Sequence, residues 1–429
     1  MKVRITPSPV TGEVSAPPSK SYTHRAVILA SLAAGESKIQ NPLLSDDTLY
    51  TIDACRSLGA DIRLQGNRLK IIGTGGQIKI APDKQWIFVG NSGSTIRMVA
   101  PLAALSQTSV VFDGDNRLRQ RPVGELLSAL KSLGVRAYSL GSNGYPPIEI
   151  QGGKFNGGEV TVLGQASSQH ISSLLMIAPY TGDGLRINVA DKLRSRPYID
   201  ITLDIMQTFG VEAVNHGYKE FLVNGGRGYK GRHYRIEGDY SSAAYFIAAG
   251  AIGGKPVTVK ELKPNSVQGD RYLLTILAEM GCSVEYQKEK VRISRNKELK
   301  GIIIDMGDYP DIVPTVAVVA AYARGKTKIT NISHLRFKET DRISSTAAEL
   351  AKMGIKVDVT DNSIVVYGGK PKGAEIEAHN DHRMAMSFAT AALFADGDSI
   401  VSGAEAVAKS YPEFFADLKE LGAKIEELS

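Results

Sequence analysis

The stretch Glu125-Leu126-Leu127-Ser128-Ala129-Leu130-Lys131-Ser132-Leu133-Gly134-Val135-Arg136-Ala137-Tyr138 decides the fold. Glu125 to Leu133 reads as an amphipathic helix, Gly134 as its left-handed stop, and Val135 onward as a strand. The same hydrophobic-Gly-hydrophobic signature ends five other amphipathic segments, at Gly59, Gly210, Gly281, Gly354 and Gly422. In chain order the six glycines lie 75, 76, 71, 73 and 68 residues apart, which is the mark of an internal repeat. Arg342 to Met353, then Gly354, then Ile355-Lys356-Val357-Asp358-Val359 shows the same helix, stop and strand.

A second helix recurs in the same frame. It opens on small polar residues: Ser19-Lys20-Ser21, Asn91-Ser92-Gly93-Ser94, Ser167-Ser168-Gln169, Asp239-Tyr240-Ser241, Asp308-Tyr309-Pro310-Asp311 and Asn380-Asp381-His382. Beyond the first turn these runs carry almost no charge, as in Ala26 to Gly35, Ile171 to Gly182 and Met384 to Ala395. A helix apolar all round is buried on every side, and one of about 12 residues is too short to span a membrane. Each unit thus reads as strand, buried helix, strand, amphipathic helix, then one or two strands. A unit this small cannot bury a fully apolar helix alone. Several must pack around their buried helices, and three plus three give two domains of ordinary size.

The chain ends locate the expected boundary. Only seven residues follow Gly422, too few for the strands that follow the other glycines. Residues 1–17 offer the strand-like runs Lys2 to Thr6 and Gly12 to Ala16, so this segment is expected to complete the last unit. One domain is then 18–237, inserted in a second made of 1–17 plus 238–429. The chain would cross near Pro17-Pro18 and near Gly238, both beside polar helix openings, which is where a cleft and hinge are expected.

Composition narrows the function classes. The chain has 429 residues, 43% hydrophobic and 22% charged, as globular proteins do. No apolar run reaches the roughly 18 residues of a membrane span. Met1-Lys2-Val3-Arg4-Ile5 lacks an h-region and reads as strand, so no signal or transit peptide is expected. Cys55 and Cys282 sit outside any metal-ligand spacing, which suits a reducing cytosol and argues against structural zinc. His379 and His382 lie three apart, but no third ligand group stands out. The net charge of +6 comes without a Lys/Arg block or aromatic-basic interleaving, so nucleic acid is not the expected partner. A cytoplasmic protein without a membrane or nucleic-acid partner is expected.

Function is sought at the helix starts. These ends carry partial positive charge and favour acids, yet here several carry cations. Arg121 precedes Pro122 and Arg196 precedes Pro197, with each Pro expected at a first helical position. Lys338 and Arg342 flank Glu339-Thr340-Asp341, Lys409 lies three before Pro412, Lys20 and Arg25 open the first buried helix, and Arg383 opens the last. Each such cation costs up to about 1 kcal/mol. An anion held by backbone N–H groups and these side chains would repair the conflict. One such charge means little, but eight in matching positions of a repeat point to bound anions. Gly90-Asn91-Ser92-Gly93-Ser94 allows close backbone approach, and it matches neither the P-loop nor the dinucleotide fingerprint. Ser167-Ser168-Gln169 offers hydroxyls and an amide to a phosphate or a sugar-like ring.

These residues resemble the 5-enolpyruvylshikimate-3-phosphate synthase family over nearly the whole chain. The resemblance rests on Pro18-Ser19-Lys20-Ser21 with Arg25, Gly90 to Ser94 with Arg97, Arg121-Pro122, Ser167-Ser168-Gln169 and Ser195-Arg196-Pro197-Tyr198. It continues through Pro310-Asp311, Lys338-Glu339-Thr340-Asp341-Arg342, Asn380-Asp381-His382-Arg383-Met384 and Lys409. The implied fold is α/β, two domains each of three βαβαββ repeats around buried helices, the inverse α/β barrel of enolpyruvyl transferases. The implied reaction moves the enolpyruvyl group of phosphoenolpyruvate to the 5-hydroxyl of shikimate 3-phosphate and releases phosphate. The family serves aromatic amino acid biosynthesis, needs no metal or organic cofactor, and is by default monomeric.

By the same resemblance, Lys20, Ser21, Arg25, Ser167, Ser168, Gln169, Ser195, Tyr198, Asp311 and Lys338 would bind shikimate 3-phosphate. Lys20, Asn91, Gly93, Arg121, Gln169, Arg342, Arg383 and Lys409 would bind phosphoenolpyruvate. The chemistry needs a base for the hydroxyl and an acid for the methylene carbon. Asp311 is the candidate base, Glu339 the candidate acid, and Lys20 assists at the bridging oxygen. Lys338 and Arg342 beside Glu339 are expected to favour its ionised form until bound anions offset them.

The sequence departs from the family pattern in places. Ser94 stands where Thr is common and Met98 where Pro is common; His334 replaces an Asn that touches the shikimate phosphate in some members, so that contact is not carried over. Gly93 keeps the small residue that in the family admits glyphosate, and Gly93→Ala is expected to weaken that inhibition. UDP-N-acetylglucosamine enolpyruvyl transferase shares the fold but has a Lys-Asn pair where this chain has Lys20-Ser21, and often a reactive loop Cys that is absent here. RNA-end cyclases share the repeat but use a His nucleophile with no counterpart here. A non-catalytic anion-binding module would leave Asp311 and Glu339 unexplained among the cations.

Overall fold

A computed structural model describes every residue except Lys154, Ala166 and Ser429. The chain forms two compact units, one of Met1–Ser19 with Glu237–Ser429, the other of Lys20–Ile236. Among the described residues there are six four-stranded sheets. All share one plan. In each sheet a first strand pairs in parallel with the strand that follows a buried helix, that strand pairs antiparallel with a third, and the third pairs antiparallel with a fourth. The βαβαββ unit read from the sequence is therefore the repeating element.

Three sheets borrow a strand from elsewhere in the chain. Lys2–Thr6 lies between Ser399–Ser402 and Lys424–Leu428 and so completes the last unit, as expected. Gly12–Ser15 does not join it. It pairs in parallel with Val257–Lys260 and supplies the first strand of the fourth unit. Likewise His233–Arg235 returns to pair with Glu36–Gln40 in the first. The residues after Gly210 thus finish one unit and start another, which a local pattern does not reveal.

Burial separates the two helix types. All nine residues of Val313–Ala321 are buried, as is Tyr240–Gly253 apart from its last residue. Each fully buried Ile, Val or Phe on them contributes about 1.5–3 kcal/mol. In contrast, Arg342–Lys352 and Gly124–Ser132 bury one face only. Each unit has its own core, packed around its three buried helices. Two of these helices shift to 3-10 geometry where Pro101 and Pro179 cannot donate an N–H, over Ala100–Leu105 and Ala178–Tyr180. Among the described residues no helix is long and apolar enough to cross a membrane.

All six stop glycines adopt positive φ, between 79° at Gly354 and 110° at Gly281. The first five turn the chain from amphipathic helix into a hairpin, and Gly422 turns it into Lys424–Leu428.

Candidate active site

In the unit that contains the C-terminus, three carboxylates surround one guanidinium. Arg342, the first residue of its helix, is only 1% exposed. Its Nε donates to Asp381 at 2.7 Å, one terminal nitrogen to Asp311 at 3.0 Å, and the other to Glu339 at 2.8 Å and Asp381 at 3.3 Å. Burial alone would lower its pKa, but Asp381, Glu339 and Asp311 raise it overall. Arg383 donates to the second oxygen of Asp311 at 2.8 Å and to the Tyr245 hydroxyl at 3.3 Å. The Lys409 ammonium stands 4.0 Å from Glu339. Asp311, Glu339, Arg342, Arg383 and Lys409 therefore form one cluster. Lys338, half-buried, immediately precedes Glu339 at the end of a 3-10 turn.

Local structure explains the placement. Asp341 caps its helix by accepting from the N–H groups of Ile343 and Ser344, which fixes Arg342 in the first turn. Asp381 does the same for the last buried helix by accepting from the Arg383 N–H at 2.8 Å. Asp381 thus serves twice, as a helix cap and as a partner of Arg342. His379 and His382 do not converge: the His379 ring meets Glu349 at 2.8 Å, whereas His382 is buried beside Asp381. Among the described residues no group of three His, Cys, Asp or Glu has metal-site geometry.

The other unit assembles a basic set. Lys20 pairs with buried Asp47 at 3.2 Å. A hydroxyl network supports this pair: His24 meets Thr51 at 2.7 Å, Thr51 meets Thr95 at 2.8 Å, and Thr95 donates to the Asp47 carbonyl at 3.2 Å. Arg121 donates to the Asn91 carbonyl at 3.4 Å. Its guanidinium covers Gly93 so closely that a Cβ there would fall 2.5 Å from its central carbon. Gln169 bridges Ser94 at 2.9 Å and Arg97 at 3.3 Å. Lys20, Asn91, Gly93, Arg121 and Gln169 are drawn together through these contacts and the packing of their helices.

Arg25 lies on the same helix as Lys20 and is 2% exposed. Its hydrogen bonds go to neutral acceptors: Thr202 at 2.7 Å, the Tyr198 carbonyl at 2.9 Å, the Ser21 carbonyl at 3.1 Å and Ser172 at 3.4 Å. Burial lowers its pKa to about 10, only partly offset by Tyr198 and Tyr22. A guanidinium buried on such terms suits an anionic ligand. Ser21 and Tyr198 are thereby placed beside it. Ser168 and half-buried Ser167 open the neighbouring helix, where the Ser167 hydroxyl accepts from the Gln169 N–H at 3.3 Å. Ser195 is buried at φ 56°, a costly conformation for a residue other than glycine and one that clusters at functional sites.

Two helix-start readings need correction. Pro197 does open its helix, but Pro122 does not: that helix begins at Gly124, and Arg121 ends a 3-10 turn instead. Lys409 likewise closes the 3-10 turn Ala404–Lys409. Both cations reach the clusters from turns rather than against a helix dipole. Asp47, Tyr245, Thr51, Thr95, Ser172 and Thr202 join the clusters without having stood out in the sequence, and Asp381 joins them though the sequence singles it out only as part of a helix opening. Asp47 follows Asp46 in a first turn where acids are ordinary, and Asp381 resembles any capping acid. Only their cation partners, distant in sequence, distinguish them.

Comparison with known proteins agrees along the whole chain. Residues 5–418 match the family model described as EPSP synthase (3-phosphoshikimate 1-carboxyvinyltransferase). The 3-phosphoshikimate 1-carboxyvinyltransferase of Methanocaldococcus jannaschii is 44% identical over 417 residues, 97% of this chain and 96% of that protein. Its counterpart in Methanocella arvoryzae is also 44% identical, over 99% of this chain and 100% of its own. A solved EPSP synthase from Acinetobacter baumannii superposes with a TM-score of 0.83 at 28% identity, covering 99% of this chain and 100% of that one. With these matches and the six βαβαββ units, the chain belongs to the EPSP synthase (3-phosphoshikimate 1-carboxyvinyltransferase) family.

Proposed function

We infer that this chain transfers the enolpyruvyl group of phosphoenolpyruvate to the 5-hydroxyl of shikimate 3-phosphate, a step of aromatic amino acid biosynthesis. The observation that carries the chemical reading is the pair of acids, Asp311 and Glu339, held among Arg342, Arg383 and Lys409. Both substrates bring a carboxylate and a phosphate, and guanidinium forks suit both groups. Arg121, Arg342, Arg383 and Lys409 are assigned to phosphoenolpyruvate, together with Lys20, Asn91, Gly93 and Gln169. Arg25, Ser21, Ser167, Ser168, Ser195 and Tyr198 are assigned to shikimate 3-phosphate, together with Lys20, Gln169, Asp311 and Lys338.

In the addition step Asp311 takes the proton of the 5-hydroxyl as its oxygen bonds to C2 of phosphoenolpyruvate. Glu339 delivers a proton to C3, turning the methylene into a methyl group. In the elimination step a proton leaves C3 for the Glu339 carboxylate, the C2–oxygen bond to phosphate breaks, and Lys20 assists the departing oxygen. Arg342 and Lys409 favour the ionised form of Glu339, so the acid role depends on bound anions offsetting them. The proposed compartment is the cytoplasm and the proposed state a monomer; the free thiols of Cys55 and Cys282 support a reducing compartment.

Mixing the two substrates with the protein should release inorganic phosphate, while UDP-N-acetylglucosamine in place of shikimate 3-phosphate should release none. Phosphate release with the nucleotide sugar alone would replace this reading by its nearest rival.

A further inference from the structure

A further buried carboxyl, Asp270, feels the charges of Asp311 and Arg383, and the reaction as described does not use it. Asp270 belongs to the 3-10 turn Gly269–Arg271 and is 4% exposed. One of its oxygens accepts from the Ser241 hydroxyl, in the first turn of Tyr240–Gly253. The other has no hydrogen-bond partner. The charged groups around it come from every side: Asp239 at the cap of that helix, Asp311 from the turn Pro310–Ile312, and Arg383 from the last buried helix. Arg271, its chain neighbour, donates to the Pro264 carbonyl.

The hydrogen bonding is lopsided. Arg342 and Arg383 each donate to Asp311, while Asp270 receives one hydroxyl. A buried oxygen without a donor calls for an explanation. A carboxyl present only to hold Ser241 would be served by an amide of the same shape. The protonated acid eases the difficulty, because a neutral carboxyl oxygen left without a donor costs less than a carboxylate oxygen left so. Burial first, and Asp311 second, push the Asp270 carboxyl up to about 7. Two carboxyls in one dry neighbourhood do not both ionise cheaply.

We propose that Asp270 is a positioning residue for the phosphoenolpyruvate side of the site. Uncharged, it leaves the charge of Arg383 to the incoming anion; ionised, it draws part of that charge back and loosens the anion. This rests on the function inferred above. Its sign is fixed: Asp270 is neutral at low pH, and the hold on phosphoenolpyruvate weakens as pH rises through neutrality.

The test measures KM for phosphoenolpyruvate and kcat from about pH 6 to about pH 9 for the wild type, Asp270→Asn and Ser241→Ala. Asp270→Asn keeps the shape and charge of the protonated form. The substrate's own phosphate titrates equally for every protein, so the ratio of wild type to Asp270→Asn isolates the Asp270 charge. That KM ratio should rise by about tenfold across the range, with a pH-independent kcat ratio. Ser241→Ala removes the hydroxyl that favours the ionised form and should move the midpoint of the rise to higher pH. A flat KM ratio overturns the inference and leaves the function standing. Should Asp270→Asn fail to fold, an unmoved midpoint in Ser241→Ala overturns it instead. A wild type that releases no phosphate at any pH overturns the functional reading, and this inference with it.

Discussion

At the scale of single residues, two buried guanidiniums do opposite work. Arg342 is neutralised within the protein by Asp311, Glu339 and Asp381. Arg25 meets only hydroxyls and carbonyls. Arg342→Met should leave three carboxylates facing one another and cost about 3–5 kcal/mol in urea unfolding. Arg25→Met instead removes an under-compensated charge, so unfolding should change by less than about 1 kcal/mol while KM for shikimate 3-phosphate rises at least about a hundredfold. Equal losses of stability in the two variants would contradict the distinction. The sequence makes both arginines conspicuous as cations near helix openings, although only Arg342 stands in the first turn, while Arg25 lies in the second turn of Lys20–Leu32. It does not disclose which of them is neutralised, since Asp311 and Asp381 lie 31 and 39 residues from Arg342.

At the scale of elements, the stop glycines were legible because a helix that ends on a left-handed residue leaves a local trace. They are not equivalent in space. A Cβ on Gly134 would meet nothing within 4 Å, whereas one on Gly59 would lie 2.9 Å from the Lys79 carbonyl. Gly134→Ala should therefore cost only the backbone strain, about 1 kcal/mol. Gly59→Ala should cost at least about 1 kcal/mol more, because a backbone oxygen must move. Urea midpoints for the two variants check the order, and a smaller loss at Gly59 would refute it. Buried helices were legible from their uncharged runs. The first strands of their sheets were not: His233–Arg235 has three residues and Gly12–Ser15 has four. Segments so short carry no period of their own, and their partners lie far along the chain.

At the scale of the molecule, the chain passes from one unit to the other at two places that lie side by side. Pro18 and Gly238 form a bridge, the Ser19 N–H donates to the Glu237 carbonyl at 2.8 Å, and the Asp239 N–H to the Pro17 carbonyl at 2.8 Å. Buried Gln268 ties them. Its amide nitrogen donates to Glu237 at 2.7 Å and to the Gly238 carbonyl at 2.8 Å, and its oxygen accepts from the Tyr240 N–H at 3.0 Å. Gln268→Leu orphans these groups and should cost about 3 kcal/mol. Hydrogen exchange should then quicken at the Ser19 and Asp239 amides; unchanged protection there would show that the strands hold without the tie. Nothing in the sequence marks Gln268, because an amide in a loop is ordinary until its partners are known.

The interior place of Lys2–Thr6 in the last sheet has a bearing on biosynthesis. The inserted unit is continuous in sequence, so it can close on itself while the ribosome is still working. Lys2–Thr6 has no such freedom. It must stay extended until Ser399–Ser402 and Lys424–Leu428 have been translated, exposing an unpaired strand edge throughout elongation. The alternating charges of Lys2 and Arg4 on that edge are the kind of gatekeepers that keep a waiting strand from pairing with its neighbours on a polysome.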